Sequence, residues 1–318
     1  SRDIAGLTAA QIAAITISQI SALSTMQISV LNTAQVLALT TQHVAMINSA
    51  QFVSLSTAGL NIFTTAQIVA FSTSNIAAIT SLQIPALNSA QLNALNSRQL
   101  SAITTTQIIA LTSNQIAALS TTQIILLNSV QLATIETRDI AALTTGQIAA
   151  ITSNQMSTIS TAQIAALITM QIAALRTQLI VILDTAQLAA IETSDISGLS
   201  TSQIAVLSEE QFSSISTLQL SILSTSQINA VTALMSSTQI AALSITQLGA
   251  FTTSQMILLD EDRITAIETR DIAGLTTALI ASITTNQINA FTTRQIAAFN
   301  STQLAAFKTQ QIKLFDTA

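Results

Sequence analysis

Apolar residues recur along this chain five and then three positions apart, and polar residues fill the intervals. Written from Leu7 in blocks of eight, the sequence reads LTAAQIAA, ITISQISA, LSTMQISV, LNTAQVLA, and the register holds to Ala230. Val231-Thr232-Ala233-Leu234 is half a unit inserted, after which MSSTQIAA restores the register from Met235 onward. Residues 1–318 therefore form one continuous array of roughly forty octads with a half-repeat insertion at 231–234. The consensus is L-[ST]-[ST]-x-Q-I-x-A.

Each position of the octad has a physical reading. Positions one and six carry Leu, Ile or Phe and their apolar substitutes (Leu7, Ile15, Phe63; Ile12, Val44, Met156), so they form the core. Position two is mostly Ser or Thr, and its substitutes include Asn32, Asn48, Asn88, Asn96, Asn128, Asn300, Asp184, Asp260 and Asp316. These are the residue types whose short oxygen-bearing side chains cap helix N-termini. Gln follows three places later, completing the S/T-x-x-Q capping box, in which each side chain takes up the other residue's otherwise orphaned amide. Positions one and six then stand at N′ and N4, the pair that forms a hydrophobic staple.

Charge placement agrees with this reading, because acids favour the first turn, where the helix dipole is positive. Asp3, Glu136, Asp139, Glu192, Asp195, Glu209, Glu268 and Asp271 occupy positions two, three or five. Arg2, Arg98, Arg138, Arg270 and Arg294 occupy position four, which is expected to face solvent.

One continuous helix is excluded, since eight residues rotate a side chain about 80° past two full turns and the apolar stripe drifts with every unit. A β-solenoid is the alternative, because eight is even and Ile and Thr suit strands. Against it stand the capping positions and the scarcity of turn residues, with six Gly and one Pro in the chain. The predicted fold is therefore all-α, a solenoid or superhelix of very short capped helices, one per octad. Such helices are too short to be stable alone and must pack on one another. Ile228, Val231 and Met235 fall at helical spacing, which predicts one helix lengthened by a turn at the insertion.

Composition narrows the function. There is no Cys, Trp or Tyr and a single His, a poor inventory for catalysis or for thiolate metal sites. After Asp3 the next charged residue is Arg98, so the surface is polar but almost neutral. A formal charge of −5 without a basic cluster argues against nucleic acid. Mean hydropathy is +0.60, yet every octad is interrupted by polar residues, so no membrane-spanning run exists. The chain opens at Ser1 inside a repeat with no signal-peptide pattern, which points to an excerpt or mature segment.

The few reactive residues have structural readings. His43 stands where Gln is usual and is read as doing that residue's work. Asp260-Glu261-Asp262 lacks the spacing and glycine of a calcium loop and is read as a helix start. Ser and Thr have no adjacent base to activate them. No catalytic, cofactor-binding or metal-binding residue and no cofactor is assigned, and the chain is not expected to be an enzyme. Gln at position five carries a further expectation: its amide bridges neighbouring coils as well as its own cap.

The unit L-T-T-x-Q-I-x-A-L resembles the octapeptide repeat arrays of very large bacterial secreted and cell-surface proteins of the adhesin-like kind. More loosely, the Thr-x-x-Gln starts resemble those of the superhelical ectodomains of the mesothelin and stereocilin group, whose prolines, cysteines and varied repeat lengths this chain lacks. The first resemblance implies an extracellular or cell-surface stalk, fibre or filament component. Both ends fall inside the pattern, which predicts that the array continues or that copies associate end to end or laterally. The alternative is a binding module using the superhelix surface for a protein or glycan partner.

Overall fold

The computed structural model describes residues 2–315. All regular structure among these residues is helical: thirty-six α-helices of four to six residues and four 3-10 segments, with no strand. The chain is an all-α solenoid, and the β-solenoid alternative is excluded.

One octad explains the rest. Asn88, at position two, is extended at φ −80° and ψ 167°, and its Oδ1 accepts the Gln91 amide at 3.0 Å. Gln91 Oε1 in turn accepts the Asn88 amide at 2.8 Å, and the helix Ser89–Asn93 starts from this reciprocal pair. It ends within two turns because the next position one and position two are both extended, like Leu87 at φ −69° and ψ 129° ahead of Asn88. Two extended residues make each corner. No described residue has positive φ, so the fold needs no glycine at its corners, and the scarcity of Gly follows.

Along the interior octads, burial repeats with the sequence period. Positions one, five and six are buried, two to four are exposed, seven is mostly exposed and eight is half-buried. Positions one and six line the core as expected, and successive position-one rings meet edge to face, as Phe63 and Phe71 do at 5.0 Å. Arg98, Arg138, Arg270 and Arg294 are exposed at position four. Asp316 and the side chains of Arg2 and Asp3 lie outside the described residues.

The chain divides into two compact units, 1–163 and 164–318. In the first, each helix packs against the one three octads later, for example Thr33–Leu37 against Thr57–Ile62. The second is built the same way, as Thr253–Ile257 packs against Thr277–Ser282, and it contains the half-repeat.

At the half-repeat, the expected lengthened helix does not form. The helix Thr225–Asn229 ends, Val231 turns to φ −132° and ψ 10°, and a 3-10 segment covers Thr232–Leu234. Val231 and Thr232 are buried, Ala233 is exposed and Leu234 is half-buried, which is the pattern of positions five to eight. The four residues thus act as an octad that has lost its cap and first helical turn. The break leaves Val231 and Thr232 buried, and the following octad is bridged to the preceding coil through Gln239, which reaches Phe212 and Ile215.

Candidate functional site

The feature that organises this protein is the column of glutamines at position five. The Gln91 side chain is buried at 1% exposure, although its residue type ordinarily lies at the surface. While Oε1 holds the cap, Nε2 donates to three carbonyl oxygens of the preceding coil: Leu60 at 2.9 Å, Asn61 at 3.0 Å and Phe63 at 2.9 Å. Leu60 and Asn61 are the last residues but two and but one of a helix ending at Ile62, and Phe63 follows it. A helix C-terminus leaves such carbonyls without intrahelical partners, so the amide of one helix start satisfies the end of another. One coil is closed over 28 residues, three and a half octads, which is the sequence separation of Gln91 from Phe63.

The same arrangement recurs in both units. Gln35, Gln51, Gln67, Gln99 and Gln147 repeat it in the first unit, and Gln203, Gln211, Gln287 and Gln295 in the second, at separations of 31, 30 and 28 residues. The expected bridging by Gln is therefore present. Where a bridge spans the half-repeat its separations shorten by four, as Gln247 reaches Leu220 and Leu223 at 27 and 24 residues.

Residues that replace Gln report what the position demands. His43 Nδ1 accepts the Thr40 amide at 3.3 Å, so it performs the capping half of the task. Asn75 does the reverse. Its Nδ2 reaches the Ile47 carbonyl at 3.0 Å, but the side chain is one methylene short of the cap and its buried Oδ1 has no partner. Gly59 supplies neither group.

Asp at this position was not anticipated as a separate device. Asp139 is buried and accepts from the Ser113 hydroxyl, and Asp195 accepts from Thr169, each 26 residues earlier at position three. A carboxylate cannot donate to carbonyls, so it finds a hydroxyl donor on the preceding coil instead. The Asp195 octad becomes 3-10 over Ile196–Gly198, and the Asp271 octad over Thr269–Gly274. A second set of bonds runs forward: Asn61 and Asn93 at position seven donate to the carbonyls of Ala86 and Ala118, each 25 residues on. None of these pairings was readable before the coil length was known.

The acidic run behaves as a helix start, with Asp260 Oδ1 accepting the Arg263 amide at 2.9 Å. Arg138 lies 3.2 Å from Glu136 and from Asp139, while Arg270 lies 3.4 Å from Asp271. Both arginines are largely exposed, so these pairs contribute little. Among the described residues, no three His, Asp or Glu side chains are grouped closely enough to hold a metal ion. None of the described helices is long and apolar enough to cross a membrane.

No curated protein matches the sequence significantly. The model of the ALTTAQ repeat matches six stretches, 44–81, 76–113, 132–169, 180–217, 188–225 and 264–301. Together they cover more than half of the chain, and the register of octads runs through all of them. The chain belongs to the ALTTAQ repeat family.

Proposed function

We propose that this chain is a structural element, a length of solenoid that serves in an extracellular fibre, filament or adhesin-like stalk of a bacterial cell surface. The observation that carries the reading is the glutamine column. Helices of four to six residues have no stability of their own, and here most of them are tied by side-chain amides to the coil before. Repeats joined only to neighbours can be extended without limit, as a stalk requires.

Self-association of copies is part of this proposal. It is favoured by a surface with no charged residue between Asp3 and Arg98, which offers no like-charge repulsion to a second copy. Electron micrographs and sedimentation of the purified chain test it. Rods or filaments whose length grows with concentration support the proposal; compact monomers at every concentration contradict self-association.

A second reading, a binding module, is favoured by one observation. Leu82, Met170, Met26 and Val130 stand at position four with 85%, 68%, 65% and 65% of their surface exposed. Capture of a defined protein or glycan partner, lost on replacing Leu82 by Ser, distinguishes this reading from a passive stalk.

A further inference from the structure

Within the second unit, the glutamine bridges are missing from three successive octads. Position five is Arg263, Asp271 and Leu279 in the octads that start at Leu259, Ile267 and Leu275. The 28-residue separation assigns to them the carbonyls of Met235, Leu243 and Phe251, and none of these receives a side-chain amide among the described residues. Asp271 is instead held by its neighbour Arg270, and the residue placed as Ser113 is to Asp139 is Ile245, which has no hydroxyl.

The same three octads lose their reciprocal caps, because one side chain performs both tasks. Asp260 and Thr276 each cap in one direction only, and Glu268 makes no side-chain cap. On the C-terminal side the column is intact, whereas in the octad just before, half-buried Gln255 makes a single bridge, to the Asn229 carbonyl. Gln287 reaches Met256, Ile257 and Leu259, Gln295 reaches Ile264, Thr265 and Ile267, and Gln303 reaches Ile272 and Leu275. Below, Gln239 and Gln247 still bridge to the coil before them, and the coil between contains the capless half-repeat.

Ile264, Ile267, Ile272, Leu275 and Ile280 are as deeply buried as their counterparts elsewhere, and Leu279 buries an apolar side chain where Gln usually stands. The backbones of Ile245–Gly249 and Thr269–Gly274 also pack closely across this boundary, so what it lacks is the bridges and not the apolar contact. Four acidic residues, Asp260, Glu261, Asp262 and Glu268, fall within the first two of these octads.

We infer that the boundary between residues 235–258 and residues 259–282 is a built-in seam, the place where this solenoid opens first. Coils part there while the octads above it stay bridged to one another, so a strained or thermally excited array yields locally and recloses. This holds whether or not the chain builds fibres.

Amide hydrogen exchange on the full chain reads local opening directly. In the α-helical octads 259–266 and 275–282, exchange is expected to be at least tenfold faster than in octads 95–102 and 103–110, where Gln99 and Gln107 bridge. Replacing Arg263, Asp271 and Leu279 together by Gln is expected to remove that difference. Should the triple variant fail to fold, Leu279→Gln alone is expected to slow exchange in 275–282. Equal protection of the two regions in the unaltered chain overturns the inference, as does a folded triple variant whose exchange is unchanged.

Discussion

Gln91 Nε2 lies 2.9 Å from the carbonyl oxygen of Phe63, twenty-eight residues earlier, while the other end of the same amide holds the Asn88 cap. One side chain thus joins the start of a helix to the end of another in the coil before it.

Removing the amide should cost both bonds. For Gln203→Ala, which loses the Ser200 cap and the contacts to Ile172 and Leu175, the expected destabilisation is about 2–3 kcal/mol. Urea unfolding followed by circular dichroism measures it, and an unchanged midpoint would count against the bridging role.

Two natural departures should be improvable. Asn75→Gln restores the cap to Ser72 and gives the unpartnered buried oxygen a donor, and His43→Gln adds an amide aimed at the coil before it. Each is expected to stabilise by about 1 kcal/mol. Thermal unfolding of the two single variants and their combination checks this, and any fall in midpoint would show that these sites are fitted to their present residues.

Glycine matters at few places, and a pair of alanine substitutions separates them. A Cβ on Gly274 would stand 2.5 Å from the Ile245 carbonyl oxygen, so Gly274→Ala must push the coils apart at an expected cost of about 2 kcal/mol. At Gly146 the nearest atom is 3.8 Å away, and Gly146→Ala should stabilise the helix by about 0.5–1 kcal/mol. Opposite shifts in unfolding midpoint are the expected result.

The aspartates at position five give a further test. Thr169→Val keeps the shape at position three but removes the hydroxyl that Asp195 accepts from, with an expected loss of about 1–3 kcal/mol. The same substitution at Thr177, which is exposed and lies at the same position one octad on, should change stability by less than about 0.5 kcal/mol.

Much of this fold was legible from single octads. The Ser/Thr/Asn/Asp identities of position two and the Gln three places later specify a helix entrance, and the structure has caps at those residues. Position one and position six were readable as core for the same reason, that only two positions are consistently large and apolar. What the octad could not reveal is the coil length, because twenty-eight residues is a property of how successive corners add up. Every pairing that depends on it was therefore hidden, including Asp139 with Ser113, Asn61 with Ala86 and the seam at Arg263, Asp271 and Leu279. The half-repeat was misread on the same ground, since its helical spacing is local while its break at Val231 answers to the coil beneath. One signal was available: position five never holds Glu, although a capping box accepts Glu as readily as Gln.

That signal supplies the most direct measurement. Gln91→Glu keeps an oxygen for the Asn88 amide and adds a negative charge in the first turn, so a capping role alone predicts unchanged or greater stability. Bridging predicts the opposite, because the substitution turns a buried donor into an oxygen facing the carbonyls of Leu60, Asn61 and Phe63. In urea unfolding at neutral pH, Gln91→Glu is expected to lower the midpoint further than Gln91→Ala does; a Glu variant as stable as the unaltered chain would contradict the bridged-coil structure.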